Sequence, residues 1–294
     1  MLRAKANRAR SFRFFFLHLL VLSGFAGELP QRIVSLSPAM TELLYGIGAL
    51  DRVVGVSDYC TYPPEVTKLP IVGSWHHPSL EKITLLHPDL VIIDSGQTPF
   101  VADRFQELGL RVVMVPDRSI RDVYAAIATL GHVTGREQQA ARLAATVRSE
   151  LEHVSRTTAS RPRPSVILIV DRIPGTLRNL NTATRRSFLG ALVDVAGGRL
   201  VAPALNRDYG PLNKEDLSAL DPEVILDFVH GANPRVTGDP LDPWQEMPEL
   251  KAVRTRRVYE VNEDFVPHAS QRIVETVQLF ARFLHPEAFG NGAR

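Results

Sequence analysis

The strongest constraint on the fold of this chain is an alternation of apolar strand patterns and helical patterns on both sides of one long helical stretch. Before that stretch, four short apolar runs have the composition of buried strands: 32–38, 52–56, 90–94 and 111–116. Beyond it, strand patterns recur at 165–170 and 224–227, with a helical pattern at 188–196 between them. Apolar strands separated by helices are typical of mostly parallel sheets covered on both faces. We therefore expect an α/β protein of two Rossmann-like lobes with a ligand cleft between them.

The stretch from 136 to about 158 contains neither Gly nor Pro and predicts a single long helix that connects the lobes. Its apolar residues form one stripe: Ala140, Leu143, Ala144, Val147, Leu151 and Val154. Such a helix spans roughly 35 Å, enough to run along two lobes. The Pro-bearing segment 161–164 ends it. The expected parts are a first lobe at 31–118, a helical linker at 119–160 and a second lobe at 161–290.

One sequence unit occurs in both expected lobes, at 79–94 and at 213–228. Each copy has a helix-capping residue, a Glu two places later, a helical pattern, a Pro seven places after the Glu, and then a strand. The repeat places Glu81 and Glu215 in equivalent positions. A carboxylate in the first turn of a helix also interacts favourably with the helix dipole, by roughly 0.3–1 kcal/mol.

The N-terminus has the pattern of a secretory signal peptide at 1–26. Five basic residues precede an apolar run at 14–22, and small residues follow at 23–27. The run is shorter than the about twenty residues of a transmembrane helix, so we expect cleavage near Ala26 and a periplasmic protein, with an uncleaved anchor as the alternative. Cys60 is the only cysteine, so the exported chain has no internal disulfide.

Composition and motifs argue against nucleic-acid binding and catalysis. The net charge of +2 comes largely from the N-terminal basic residues, whereas a nucleic-acid binder normally has a concentrated basic face. The chain lacks the GxSxG, P-loop, HExxH and kinase signatures, so we expect no enzyme. His76 and His77 are interpreted as loop residues and not as a metal pair, and Gly46-Ile-Gly48 ends a helix and does not bind a dinucleotide.

Several segments together resemble the periplasmic vitamin B12 (cobalamin)-binding proteins of ABC importers, within the helical-backbone superfamily of siderophore, haem and cobalamin receptors. They are RIVSLSPAMTE at 32–42, VGVSDYCTYPP at 54–64, GSW at 73–75, PSLEKI at 78–83, NKE at 213–215 and NEDFVPHASQR at 262–272. The resemblance covers essentially all of the chain after the signal. It implies a monomer without a resident cofactor or metal. It also implies a partner, a permease dimer with its ATPase, through which alone the protein meets the membrane.

The resemblance also implies a set of ligand-binding residues. Tyr59 and Trp75 match aromatic residues of the first lobe that pack on the corrin ring, and Tyr209 matches an aromatic residue of the second lobe. Asp264 matches a polar contact, and His268 stands where the cobalamin binders have an arginine. A large, rigid, amphipathic macrocycle is held well by aromatic faces and a few polar groups at its rim. For Tyr209, a packing role and a ligand role remain equal alternatives.

Two further expectations concern the surfaces of the lobes, where the protein would dock on its permease, and the cysteine of the expected ligand loop. By the resemblance, Glu81 and Glu215 are the anchors that dock one lobe each on one permease subunit. Cys60 lies in the expected ligand loop, and we interpret it as a small loop residue near the site and not as a thiolate ligand.

Other ligands and other classes of function remain open. The same superfamily includes haem and ferric-siderophore binders. Haem needs an axial Tyr or His, for which Tyr59, His76 and His268 are available, whereas a siderophore favours an Arg-rich cleft, and Arg207 is the nearest basic candidate. A periplasmic enzyme would need Asp58, His76 and a serine in hydrogen-bond contact. A ligand sensor or adaptor with the same fold is the fourth possibility.

Overall fold

The computed structural model describes residues 28–228 and 239–289. The predicted signal peptide lies outside this part of the chain. Within these two ranges, no helix combines the length and the apolar composition that a membrane crossing requires. The described residues form two β-sheets flanked by helices, with a pair of consecutive helices joining them.

The first sheet is entirely parallel, as the apolar runs predicted. Its strands are β1 (Ile33–Ser35), β2 (Val53–Val56), β3 (Leu90–Asp94) and β4 (Val112–Val115). Their order in the sheet is β2-β1-β3-β4. The connecting helices are α1 (Pro38–Gly46), α2 (Leu80–Leu85) and α3 (Thr98–Glu107). Because all four strands run in the same direction, their carboxyl ends and the loops that follow them share one edge of the sheet.

The joining segment consists of two helices, α4 (Ile120–Thr134) and α5 (Glu137–Thr158). Gly135 separates them in a left-handed conformation at φ 67°, which glycine adopts without steric cost. The long helix α5 touches both halves of the molecule, because Leu143 lies against Gly46 of the first half and Thr158 lies against Gly197 of the second. Its 22 residues give a length of about 33 Å.

The second sheet is mixed, with a parallel part and a short antiparallel extension. Its strands are β5 (Ser165–Asp171), β6 (Asn181–Ala183), β7 (Arg199–Leu200), β8 (Tyr209–Pro211), β9 (Val224–Phe228) and β10 (Val258–Val261). The order is β10-β9-β5-β6-β8, and β7 also pairs with β5. The helices are α6 (Phe188–Val195), α7 (Lys214–Leu220), α8 (Lys251–Arg254), α9 (Ile273–Leu284) and α10 (Pro286–Phe289). Strands β6 and β8 pair antiparallel.

One apolar cluster runs through both halves of the molecule. It includes Met40 of α1, Ile127 of α4, Val147 of α5, Leu192 of α6 and Phe280 of α9. Two smaller clusters belong to one sheet each, the first containing Phe105 with β3 and the second containing Trp244 with β9. The shared cluster means that the sheets are not two independently packed bodies, and the predicted lobe boundaries near 118 and 160 remain a proposal.

Candidate ligand-binding site

Trp75 is anchored at the carboxyl edge of the first sheet. Its indole Nε1 donates a hydrogen bond of 2.8 Å to Oδ2 of Asp94, the last residue of β3. The Gln97 side chain donates to the Trp75 carbonyl oxygen at 2.9 Å. Gly96 allows the indole to lie close, since a Cβ at this position would come within 3.0 Å of the ring. Trp75 is therefore half-buried and held in place from two sides.

Tyr59 and Cys60 occupy the loop that follows β2, and their side chains differ sharply in exposure. The Tyr59 side chain is exposed (66%), which leaves its ring available to a ligand. Cys60 is buried, with Sγ 3.2 Å from Thr41 Oγ1 and 3.3 Å from Ser57 Oγ. Burial raises the pKa of the Cys60 thiol, and this favours the neutral thiol over the thiolate that metal coordination requires.

The Tyr59 loop and the Trp75 loop are connected to each other. The backbone N–H of Asp58 donates to the carbonyl oxygen of Gly73 at 3.1 Å. Gly73 has φ 114°, and a Cβ there would come within 2.7 Å of the His77 carbonyl oxygen, so only glycine fits this position. Both aromatic residues predicted from the first lobe thus stand on adjoining loops at one sheet edge.

Tyr209 lies in strand β8 of the second sheet. It is on the opposite side of the junction between the two halves of the molecule from Tyr59 and Trp75. Its neighbour Asp208 accepts a 2.9 Å salt bridge from Arg118, which follows β4 of the first sheet. Burial raises the pKa of the Tyr209 phenol to about 12, and the negative charge of Asp208 adds to this effect, although the side chain is 40% exposed. The charge of Arg118 opposes this rise in the pKa of Tyr209, and the charge of Asp117 adds to it.

Asp117 follows β4, and its carboxylate accepts a hydrogen bond from Ser95, the residue after Asp94. Burial raises the pKa of its carboxyl group, and the charge of Asp94 raises it further, while a hydrogen bond from Ser95 opposes the shift. Asp94 is the acceptor of the Trp75 indole. The Arg118–Asp208 salt bridge joins the segment after β4 to the residue before Tyr209, so Trp75 and Tyr209 belong to segments that meet at the junction between the two halves.

A second junction between the two halves involves the segment after β10. Thr61 Oγ1, two residues from Tyr59, donates to Asp264 Oδ2 at 2.9 Å. Arg272 lies 3.5 Å from the same carboxylate and covers the ring of Tyr62, with the guanidinium carbon 4.4 Å from the ring centre. The predicted ligand residue Asp264 thus lies beside the Tyr59 loop, already bonded to protein groups.

His268 belongs to the same segment and faces a buried carboxylate of the first half. The Glu42 side chain, in α1, is only 2% exposed, and its Oε1 lies 2.8 Å from His268 Nδ1 and 3.3 Å from Arg272 Nη1. Ser270 also donates a hydrogen bond to Glu42. The His268 side chain is 15% exposed. Three residues of the second half therefore converge on one acid of the first.

Glu81 and Glu215 hold equivalent places on the surface, as the repeat predicted. Each is the second residue of a short helix, α2 or α7, and both are exposed. The side chains of Ser79 and Asn213 cap these helices by accepting from backbone N–H groups. Neither glutamate forms an ion pair within the described residues.

The enzyme alternative depends on one specific arrangement of side chains, Asp58 with His76 and a serine. Asp58 makes no side-chain hydrogen bond within the described residues, so an Asp58, His76 and serine arrangement is not formed there. His76 packs edge-on against Trp75 with 4.5 Å between ring centres. No group of three or more His, Cys, Asp or Glu side chains in the described ranges is placed to hold a metal ion.

Several residues of the junction were not predicted as site residues: Glu42, Asp94, Asp117, Arg118, Asp208 and Arg272. Two of them carried a signal in the sequence. Glu42 is an acid among the apolar residues of a buried helix, and Asp94 ends an otherwise apolar strand. The pairing of Arg118 with Asp208 carried none, because the two residues are 90 positions apart and meet only in the folded chain.

Comparisons with known proteins agree with this architecture. A model of the family described as "Periplasmic binding protein" matches residues 33–265. The ABC transporter substrate-binding lipoprotein YvrC of Bacillus subtilis is 30% identical over 267 residues, 88% of this chain and 82% of that protein. A cobalamin-binding protein of Halobacterium salinarum is 28% identical over 266 residues, 87% of this chain and 70% of that protein.

A solved structure gives the same fold with a different ligand in its name. The apo form of the periplasmic heme-binding protein RhuT from Roseiflexus sp. RS-1 is similar at a TM-score of 0.76 and 26% identity, over 88% of this chain and 99% of that chain. The family match extends from β1 through both sheets to the Asp264 segment. This chain belongs to the periplasmic binding protein family.

Proposed function

We propose that this protein is the solute-binding component of an ABC importer and binds cobalamin or a related corrinoid between its two α/β lobes. The observation that carries the proposal is the pair of aromatic residues on adjoining loops, exposed Tyr59 and anchored Trp75, opposite Tyr209 and Asp264. The names of relatives such as the Halobacterium protein support the corrinoid. The function is capture and release without chemistry.

The physical match is between a flat, rigid macrocycle and aromatic rings that need little ordering. Trp75 loses almost no side-chain freedom on binding, because Asp94 and Gly96 already hold its indole. The polar groups at the rim of a corrin find Asp264 and Tyr209 on the other side of the cleft. Binding sites for ligands of cofactor size usually combine a large aromatic and apolar contact surface with a few hydrogen bonds.

The decisive test is titration of residues 27–294 with cyanocobalamin, followed by calorimetry and tryptophan fluorescence. The chain has two tryptophans, and Trp244 is fully buried in the second lobe, so quenching reports on Trp75. Tyr59→Ala and Trp75→Ala are each expected to weaken binding about tenfold, about 1.4 kcal/mol. Leu108→Ala, which removes an exposed apolar side chain beyond α3, serves as the control. Absence of binding at micromolar ligand would overturn the corrinoid assignment.

Haem is the second candidate ligand, and the likeness to RhuT together with the position of His268 favours it. An absorption spectrum after addition of ferric haemin distinguishes it, since axial ligation sharpens and shifts the Soret band. A ferric siderophore is less favoured. Arg118 and Arg272 at the junction are already paired with Asp208 and Glu42, whereas exposed Arg207 forms no ion pair within the described residues, so one predicted arginine is left for an anionic ligand.

We propose in addition that Glu81 and Glu215 dock the loaded protein on a permease dimer, one lobe on each subunit. Their equivalent, exposed positions at the starts of α2 and α7 support this. Glu81→Gln and Glu215→Gln are each expected to lower stimulation of the permease-bound ATPase by the loaded protein, and the double variant to abolish it. Glu152→Gln, on the exposed face of α5, is the control. Full stimulation by the double variant would contradict the docking role.

We also propose export to the periplasm through the segment 1–26, as a monomer. Intact mass of the protein recovered from the periplasm tests this, with cleavage near Ala26 as the expected result. A mass that retains the segment would favour the anchored form.

A further inference from the structure

We infer that a cavity at the amino edge of the second sheet, where its parallel strands begin, is a binding site for a small organic monocarboxylate. Arg257 and His285 recognise the carboxylate group of this ligand. The cavity has a volume of about 280 Å³, and both residues line it. It lies apart from the proposed cleft, so the inference goes beyond the proposed function.

The topology of the second sheet fixes the place of the cavity. Strands β5, β9 and β10 are parallel neighbours. Pro164, Glu223 and Arg257 each directly precede one of these strands, and all three line the cavity. Leu284 and His285, at the end of α9, line it as well. Because parallel strands begin at one edge of a sheet, the cavity lies opposite the edge that carries the ligand loops of α/β proteins.

Arg257 supplies a positive charge with free donors. Its Nη2 donates to the carbonyl oxygens of Phe283 and Leu284 at 3.2 and 2.9 Å, which holds the guanidinium group at the end of α9. Its Nε and Nη1 form no hydrogen bond within the described residues, and it forms no ion pair there. A guanidinium group presents paired N–H donors that match the two oxygens of a carboxylate. Arg257 can therefore bind an anion without giving up an existing contact.

His285 supplies a buried ring nitrogen. Its side chain is only 3% exposed, although it lines the cavity. Nε2 lies 3.3 Å from the carbonyl oxygen of Gly197, which can only accept, so Nε2 carries a proton. Nδ1 forms no hydrogen bond with a described residue, since Oε1 of Glu287 is 4.0 Å away. The cavity thus contains a buried polar atom that is left without a partner within the described chain.

The protonation of His285 depends on the charges around it. Burial lowers the pKa of the imidazole, whereas the hydrogen bond to Gly197 and the negative charge of Glu287 oppose this shift. The positive charges of Arg161 and Arg257 lower the pKa further. The ring is therefore neutral at physiological pH. A carboxylate bound beside Nδ1 would add a negative charge and favour uptake of a proton by the ring.

The other charged residues of the lining are neutralised by ion pairs within the protein. These pairs are Glu223 with Lys251 at 2.6 Å, Glu287 with Arg161 at 2.9 Å, and Arg163 with Asp194. Among the described lining residues, Arg257 is thus the charge without a counter-ion. One unmatched positive charge favours a monoanion, and the two glutamates of the lining repel a second negative charge.

The remaining lining is apolar and limits the size of the ligand. It consists of Pro162, Pro164, Leu284 and Pro286. Proline side chains lose almost no conformational freedom when a ligand covers them. The cavity volume lies near the lower end of the about 300–1,000 Å³ of small-molecule sites. The ligand class that fits is one carboxylate on a small apolar body.

Benzoate is the probe, because it joins one carboxylate to a small apolar ring, and neutral benzamide of the same shape is the control. Proton NMR of residues 27–294 follows the imidazole signals, and His285→Gln identifies the signal of His285. We expect benzoate at millimolar concentration to shift this signal and to raise the Tm, whereas benzamide should do neither. Equal effects of benzamide, or no shift of the His285 signal by benzoate, would overturn the inference.

Arg257→Gln removes the positive charge and keeps an amide donor for the α9 carbonyl oxygens, and circular dichroism checks its fold. It is expected to weaken benzoate binding about 10- to 100-fold. Arg199→Gln, at an exposed arginine of β7 outside the cavity, should bind benzoate as the parent protein does. Unchanged affinity in Arg257→Gln would overturn the assignment. If this variant does not fold, calorimetry of His285→Gln provides the same test.

The pH dependence gives a separate readout. Benzoate should bind more tightly at about pH 6 than at about pH 8, because a proton is taken up by His285 on binding. Glu223 and Glu287 stay ionised over this range, since hydrogen bonds lower the pKa of both carboxyl groups. The same pH dependence in His285→Gln would overturn the role of His285. Inorganic phosphate, largely a dianion under mildly alkaline conditions, should bind more weakly than benzoate, and tighter binding would overturn the monocarboxylate class.

Discussion

At the scale of single residues, the loop after β2 places an exposed and a buried side chain at two adjacent positions. Tyr59 projects outward, whereas Cys60 is enclosed by Thr41 and Ser57. An alternation of this kind lets one short loop present an aromatic ring to a ligand and anchor itself at the same time. The free thiol is thereby kept from the oxidising environment expected for an exported protein.

Cys60 is expected to react slowly with iodoacetamide in the native protein at pH 8 and rapidly in guanidinium chloride. Burial both blocks access and raises the thiol pKa, which lowers the fraction of reactive thiolate. Mass spectrometry of timed samples measures the rates. The control is a Cys60→Ser, Ser149→Cys variant, whose thiol lies on the exposed face of α5 and should react at once. Equal native and unfolded rates for Cys60 would refute the prediction.

Tyr209 should titrate unusually late. Its folded pKa of about 12 lies above the ordinary value of 10.0, so the neutral phenol stabilises the fold below pH 10, and this contribution is lost as the pH rises towards 12. Ultraviolet difference spectra should show one phenol that ionises near pH 12 and that is missing in Tyr209→Phe. If the titration curve of Tyr209→Phe matched that of the parent protein, Tyr209 would not be the late-ionising phenol.

At the scale of elements, periodic patterns made the long helices and buried strands predictable. Strand β3 occupies the predicted residues, and α5 buries Ala140, Val147, Leu151 and Val154 of the predicted stripe. Helix α9 and strand β10 were not predicted, although both carry local apolar patterns. Strands β6, β7 and β8 were not predicted either. They have two or three residues each, and they exist because β5 and its neighbours offer them backbone partners, which no local pattern encodes.

The residues of the candidate site divide in the same way, into those with a local signal in the sequence and those that depend on distant partners. Tyr59 and Trp75 were predicted from the family resemblance and from their positions in loops after strands, and their ligand role stays a prediction. The His268–Glu42 contact and the Arg118–Asp208 bridge could not be predicted, since they join residues that are 226 and 90 positions apart in the chain. A contact between side chains of the two halves can be identified only when the folded arrangement of both sheets is known.

Leu151→Ala in α5 is expected to lower the free energy of unfolding by about 2–5 kcal/mol, because it leaves a cavity in the apolar cluster shared by both halves. Ser149→Ala on the exposed face of the same helix should change it by no more than about 0.5 kcal/mol. Urea unfolding followed by circular dichroism measures both. A loss for Leu151→Ala as small as that of the control would show that α5 does not hold the halves together.

At the scale of the whole molecule, three connections restrain the two lobes. The shared core holds them on the helical side, Arg118 and Asp208 join them at one point, and Glu42 with the 264–272 segment joins them at another. A hinge closing widely around the ligand would have to break these contacts. Under the proposed function, the ligand would therefore meet a site whose shape is largely formed in advance.

Ligand binding is accordingly expected to move the lobes by about 1 Å or less in backbone position. Small-angle scattering with and without the bound corrinoid should give the same radius of gyration within error. Removing one connection with Arg118→Ala should leave this result unchanged, because the shared core remains. A clear compaction on binding, as hinge-type receptors show, would contradict the restraint.

The apolar cluster that continues from α1 through α5 to α9 also has a consequence for how the chain gains its structure. Although the 79–94 and 213–228 units repeat, neither half can complete its interior alone, because part of its covering comes from the other. Melting should then be one cooperative event with a single calorimetric peak, and a fragment ending at residue 118 should stay unfolded. The two repeated sequence units have equivalent surfaces. Their stability, in contrast, depends on the interior of the entire described chain.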